Sequence, residues 1–186
     1  MVGYAFTGSF CTLSRALSEM ERLVLGGVEI QPIISERVYS TDTRFWKCEE
    51  FRKRVESVAG RAAIHTVEDA EPFGAHTPLE YLIISPCTGN TAAKLANGIT
   101  DTAVTMAAKA HLRSDRPMLI ALASNDAMSQ NLANIARLMS RKSVYFLPLT
   151  QDDPIAKPHS LVADFSRMEE ALEAMRHSRQ LRPVFI

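Results

Sequence analysis

The chain has 186 residues, 46% of them hydrophobic, with 21 Lys and Arg balanced by 21 Asp and Glu. That is enough for one domain with a real core, and the near-zero formal charge gives no basic field for nucleic acid or an anionic membrane surface. No apolar run approaches a membrane span and no basic leader with a cleavage site opens the chain, so a cytoplasmic protein is expected. The three cysteines, Cys11, Cys48 and Cys87, have no CxxC pair and no His at ligand spacing, which argues for free thiols and against a zinc site or a disulfide framework.

Val2 to Phe6 reads as a buried strand that runs into Thr7-Gly8-Ser9-Phe10-Cys11-Thr12 and then a helical pattern over Leu13 to Leu25. Gly26-Gly27 closes that helix as a C-terminal glycine cap. A second strand over Val28 to Ile34 ends at Ser35, and Arg44 to Ala59 has helical periodicity. The connection Ala62 to Pro78, with Pro72, Gly74 and Pro78, reads as irregular. Leu79 to Ile84 is the third apolar run. It stops in Ser85-Pro86-Cys87-Thr88-Gly89-Asn90-Thr91 before a helical stretch over Ala92 to Leu112. Strands over Met118 to Ala123 and Val144 to Leu147 flank a helix over Asn131 to Arg141. Thr150 to Ser160, with Pro154 and Pro158, reads as another long loop of the kind that walls a site, and Ser166 to Leu181 closes the chain as a helix.

Apolar strands without alternation, separated by amphipathic helices, predict residues 1–186 as one α/β domain. The expected architecture is a doubly wound, Rossmann-like three-layer sandwich around a central parallel sheet. Its two strand-turn-helix loops carry the functional signal. Taken singly, Thr, Ser and Asn before a helix are ordinary N-caps. Two such loops on adjacent strands can share one ligand, and unpaired helix-start N–H groups beside hydroxyls favour an anion. Gly8 and Ser9 would serve from the first loop, with Thr88, Asn90 and Thr91 from the second. GxGxxG, the P-loop, GxSxG and HExxH are all absent, so the phosphorylated ligand belongs to none of those classes.

Thr7-Gly8-Ser9, the block from Pro86 to Asp101 and Ala123-Ser124-Asn125-Asp126-Ala127-Met128 resemble three loops of the FMN-binding family of flavoprotein decarboxylases and prenyltransferases. Phe6 to Ser9, Ser40 to Phe45, Met106 to Ala110, Arg137 to Met139 and Tyr145 to Pro148 carry a closer likeness, to one subunit of a two-subunit member. The resemblance implies FMN, with NADPH as the alternative cofactor, and a separate A subunit as partner. It further implies the mother cell of a sporulating bacterium, a trimer or larger homo-oligomer, and oxidation of a dihydropyridine dicarboxylate. It puts the flavin phosphate on Gly8, Ser9, Phe10, Thr88 and Thr91, with Ser35 near the ribityl chain or ring, and gives Asn125 the role of the Asn that binds a substrate carboxylate. Leu122 and Ser124 replace a Pro and a Met of that loop. Counting back from Pro86 to the family's active-site His lands on Pro72, with His76 nearby; His76 is either a displaced catalytic group or a solvent-facing loop residue.

Aromatising a dihydropyridine dicarboxylate needs a hydride acceptor, a base and partners for two carboxylates. Asp126 is the candidate base, or else the N-cap of a helix starting near Ser129. Arg44 and Lys157 are candidate carboxylate partners, or else solvated surface charges. Lys94 either reaches a phosphate or lies along its helix, and the remaining four histidines read as structural. Two other functions remain: a non-catalytic scaffold subunit of the same fold, and a flavin-dependent decarboxylase.

Overall fold

The parallel heart of the sheet comes from the apolar runs. In the computed structural model, which describes residues 1–74 and 76–186, β1 (Val2–Phe6), β2 (Ile30–Ile34), β3 (Leu82–Thr88), β4 (Met118–Ser124) and β5 (Val144–Phe146) all pair in parallel. Every residue of β1 and β4 is buried, as expected for strands covered on both faces. Beside this expected parallel centre the sheet is mixed: β6 (Leu149–Thr150) and β7 (Leu161–Ala163) add an antiparallel edge, in the order β2-β1-β3-β4-β7-β6. β5 ends after three residues, before Pro148, and pairs only with Met118 to Ile120 of β4. The carboxyl half of β4, Ala123 and Ser124, is left for β7.

Helices flank this sheet. α1 (Leu13–Leu25) buries Leu13, Ala16, Leu17, Met20 and Leu23, the stripe its periodicity predicts. Fully buried Tyr4 on β1 donates its hydroxyl to Ala16 O at 2.7 Å, and burial pushes its phenol well above the usual range. Gly27, at φ +85°, ends the helix in the left-handed conformation a glycine supplies.

Local chemistry moves several boundaries. The helix expected from Arg44 begins only at Cys48, as α3 (Cys48–Ala59), because Thr43 Oγ1 accepts the N–H groups of Phe45 and Trp46, while Asp42 Oδ1 takes that of Cys48. A short α2 (Glu36–Ser40) precedes it, and α4 (Val67–Ala70) followed by a 3₁₀ turn occupies the segment expected to be irregular. The helix expected over Ala92 to Leu112 is two, α5 (Gly89–Asn97) and α6 (Ala103–Leu112). Gly98, at φ +72°, stops the first, and a reciprocal Thr102–Thr105 capping box starts the second. α7 (Leu132–Met139) and α8 (Met168–Arg176) complete the order. Gln180 pairs both backbone groups of Phe146, and the terminal residues bond Leu149, covering the sheet's far edge.

α6 is buried on nearly all sides because α4 and its 3₁₀ turn pack against it. His111 is therefore enclosed, with Nε2 2.8 Å from Pro117 O and no partner for Nδ1 among the described residues, and burial holds its pKa below the usual imidazole value. The unfolded chain takes up a proton near pH ~6.5 that the native state refuses, so this group's stability contribution is intact above that pH and declines below it. Denaturant melts at pH 7 and pH 5 should show the stability gap between the native protein and His111→Gln narrowing by about 1–2 kcal/mol at the lower pH. A gap that does not change with pH contradicts this reading.

Candidate functional site

β1 is paired with β2 on one side and β3 on the other, so the chain reverses its winding between β1 and β3. The crevice outside their carboxyl ends is where open α/β sheets bind ligands. One residue fixes the two loops there. Thr7 Oγ1 donates to Pro86 O at 2.8 Å and accepts the Thr88 N–H at 2.9 Å, so the loops after β1 and β3 are one unit. Thr88 caps α5 by accepting Thr91 N–H at 3.1 Å, and its hydroxyl lies 2.9 Å from that of Thr91. The N–H groups of Gly89 and Asn90, in the first turn of α5, have no intrahelical acceptor.

Two clefts meet at this unit. The larger, about 770 Å³, is lined by Gly8, Ser9, Phe10, Arg44, Thr88, Asn90, Asn125, Asp126 and Lys157, among others. The smaller, about 510 Å³, shares Gly8, Phe10, Thr88 and Asn90 and adds Ser35 and Thr91. Eleven of the twelve residues singled out from the sequence thus fall on one connected site. The exception is His76. It is exposed, lines neither cleft, and sits in the segment leading to the amino end of β3, where Glu80 N–H bonds Met1 O. In the single chain it is on the opposite edge of the sheet, so it is not brought to the site.

Ser35 carries the plainest signal for a ligand. It is 8% exposed, yet its Oγ has no hydrogen-bond partner among the described residues, although its backbone N–H reaches Phe6 O at 3.0 Å. An unpaired buried hydroxyl costs about 1–3 kcal/mol, which a ligand atom in the adjoining cleft would offset. Together with the helix start at Thr88 and the Thr91 hydroxyl, this donor set fits a phosphorylated, hydroxyl-bearing cofactor such as FMN.

The opposite wall holds the charged groups of the larger cleft. Asp126 is not the cap of a helix starting near Ser129: α7 begins at Leu132 with Asn131 in the N-cap position, and the Asp126 carboxylate accepts from Ser124 Oγ and, at 2.8 Å, from Asn131 Nδ2. Asn125 is exposed and lines the larger cleft. Arg44 sits in the Thr43 turn with its guanidinium 4.8 Å from the Phe45 ring centroid. Lys157 pairs with Asp152 at 2.8 Å, and that contact raises the ammonium's pKa while lowering the carboxyl's. Lys94 lines the smaller cleft and is engaged by both oxygens of Asp101 at 2.8 Å. Of the thiols, Cys11 is exposed and lines the larger cleft, while Cys87 is buried with its pKa pushed far up. Thr7, Ser124 and Asn131 escape a reading of the sequence, because their partners lie across strands or beyond a turn.

The chain belongs to the Flavoprotein family, whose model matches residues 2–178. Over 185 residues it is 40% identical to the B subunit of dipicolinate synthase from Bacillus subtilis (strain 168), covering 100% of this chain and 92% of that protein. The crystal structure of the dipicolinate synthase B subunit from Bacillus halodurans is similar, with a TM-score of 0.91 at 41% identity, covering 100% of this chain and 95% of that one. An FMN-dependent cysteine decarboxylase, SpaF, shares the fold at a TM-score of 0.70 and 22% identity, covering 95% of each chain.

The two loop glycines differ in what they require. A Cβ on Gly89 would lie 2.7 Å from both Asn131 Nδ2 and Asp126 Oδ1 and would run into Ser124 Oγ, whereas one on Gly8 would meet nothing closer than 3.7 Å. Gly89→Ala should destabilise the protein by roughly 2–4 kcal/mol and Gly8→Ala by less than about 1 kcal/mol, read from denaturant midpoints. Equal losses would show that the wall behind Gly89 yields freely.

Proposed function

We propose that the chain binds FMN across the two clefts and acts as the B subunit of a dipicolinate synthase. With a separate A subunit it would take part in oxidising dihydrodipicolinate to dipicolinate. The reading includes the cytoplasm of the mother cell in a sporulating bacterium and a homo-oligomer of three or more copies. One observation carries the cofactor: the orphaned Ser35 hydroxyl beside the Thr88 and Thr91 phosphate cradle. Family membership supports a flavin, and the full-length likeness to a dipicolinate synthase B subunit supports the reaction.

A bound flavin supplies the hydride acceptor. The chain's residues divide the remaining work. Gly8, Ser9, Phe10, Thr88, Asn90 and Thr91 hold the phosphate end, and Ser35 gives its hydroxyl to the ribityl chain or ring. Arg44 offers a planar fork to one substrate carboxylate. Lys157 offers a point charge to the other once it leaves Asp152, and Asn125 donates its amide to a carboxylate oxygen. Asp126 accepts the proton that leaves as the ring becomes aromatic, so two electrons and one proton go to the acceptor and one proton to the carboxylate.

A second reading, a non-catalytic subunit whose partner runs the redox chemistry on its own nicotinamide, is favoured by the distance of His76 from the site. Titration separates the two: a cofactor site takes up FMN at micromolar concentration and shows the visible flavin band, and a scaffold does neither. Ser35→Ala should weaken FMN binding about tenfold while leaving the Tm of the ligand-free protein unchanged or raised, since it removes an unpaired hydroxyl. The holoprotein mixed with its A subunit should raise dipicolinate absorbance above the A subunit alone. No FMN uptake, or NADPH binding in its place, would overturn the proposal.

A further inference from the structure

Behind the Asp126 wall runs a line of side chains that the proposed chemistry does not use. Arg137 Nη1 donates to Asn97 Oδ1 at 2.8 Å, and Asn97 Nδ2 donates to Asn134 Oδ1 at 3.2 Å. Asn134 Nδ2 donates to Asn131 Oδ1 at 2.9 Å, and Asn131 Nδ2 donates to Asp126 Oδ2 at 2.8 Å. The line starts on the exposed seam between α5 and α7 and ends in the cleft. Asn131 is only 6% exposed where it meets Asp126. We infer that Asn131 is a positioning residue for Asp126: it ends a one-way chain of amides that holds the carboxylate in a single orientation at the carboxyl end of β4.

The direction of the chain follows from its ends. A side-chain amide can turn over and exchange donor for acceptor, but a guanidinium only donates and an ionised carboxylate only accepts. Turning over any one of the three asparagines would set donor against donor or acceptor against acceptor. The cation at one end and the anion at the other therefore fix all four hydrogen bonds in one sense. Ser124 supplies the second donor, to Oδ1. A carboxylate offers about four acceptor sites, so two donors leave room for a proton from a ligand in the cleft. Arg44, Asp152 and Lys157 are the other charged groups on that cleft, and Ser124 and Asn131 are the side-chain donors to the carboxylate itself.

The functional part of this inference rests on the proposed role of Asp126; the chain itself does not. Asn131→Asp sets two carboxylates face to face and should lower Tm by about 5 °C or more. Adding Asp126→Asn restores a donor–acceptor pair. The amide introduced at position 126 then donates to the carboxylate introduced at position 131, which still accepts from Asn134, while Ser124 still donates to the new amide's carbonyl. The double variant should recover most of the lost Tm, and no recovery overturns the chain. It should also bind FMN within about threefold of the native protein, yet with the A subunit its turnover should fall about a hundredfold, since the charge has moved away from the ligand. Native turnover in the double variant overturns the positioning role. Failure of the native protein to bind FMN overturns the proposed function while the Tm recovery still decides the chain. Should the charge variants not fold, Asn134→Leu cuts the chain one link away: turnover should drop at least threefold with FMN affinity unchanged, and unchanged turnover overturns the inference.

Discussion

The site depends on a single hydroxyl. Thr7 Oγ1 gives its proton to Pro86 O and takes the N–H of Thr88, and with those two bonds the loop that ends β1 becomes continuous with the loop that ends β3. Both strands are fixed by the sheet, and beyond their last paired residues, Ala5 and Ile84, the Thr7 backbone N–H adds a bond to Pro86 O at 3.2 Å. The donors that could face one anion, the start of α5 and the Ser9–Phe10 turn, are pre-aligned only because Thr7 holds them. Thr7 is 1% exposed, so this bond is made away from water, where it is worth most and where losing one partner would strand the other.

The cleft has two walls of different character. On the side of α5 and Ser35 the groups are neutral donors and hydroxyls, suited to a phosphate and a polyol, beside the charged Glu36, Arg37 and Lys94. On the side of β4 and the loop before β7 they are charged, but each charge already has company: Asp126 has Ser124 and Asn131, Lys157 has Asp152, and Arg44 has the Phe45 face. Under the proposed function, an incoming dicarboxylate would compete for the two cations. The Lys157–Asp152 pair is exposed to solvent, where such pairs contribute about 0–1 kcal/mol, so exchanging one carboxylate for another costs little. Asp126 is different. It is held from behind by groups that no ligand displaces.

Much of this was legible in the residues. Strands without alternation announced a sheet covered on both faces, and two hydroxyl-bearing loops on neighbouring strands pointed to the crevice where the two clefts lie. The resemblance of three loops named the family correctly. The misreadings have identifiable causes. Periodicity carried a helix straight through Gly98, because alanine-rich sequence on both sides satisfies the same pattern and only the positive φ of one residue separates α5 from α6. The Thr43 and Asp42 side chains compete with helix formation ahead of Cys48, and that competition is decided by bonds two to six residues long that no apolar count registers. Asp126 looked like a cap because caps are acidic and precede helices; its true partner, Asn131, lies across a turn. His76 precedes the amino end of β3, whereas the clefts lie at the carboxyl ends of the strands.

The antiparallel edge is the feature with the largest consequence for the site and the least trace in the sequence. A further parallel strand beside β4 would enter at the amino edge of the sheet, and its preceding connection would lie on the side away from the clefts. β7 runs the other way, pairing Leu161 with Ser124, so the residues just before it emerge at the carboxyl edge of β4. That reversal delivers Asp152, Lys157 and Ser160 to the cleft on one short excursion between β6 and β7, closed by Ser160 N–H on Lys157 O at 3.0 Å. The early stop of β5 makes the reversal possible, because a full-length β5 would occupy the edge of β4 that Val162 and Leu161 take. The cation proposed for the second carboxylate therefore reaches the cleft only because one strand is three residues long.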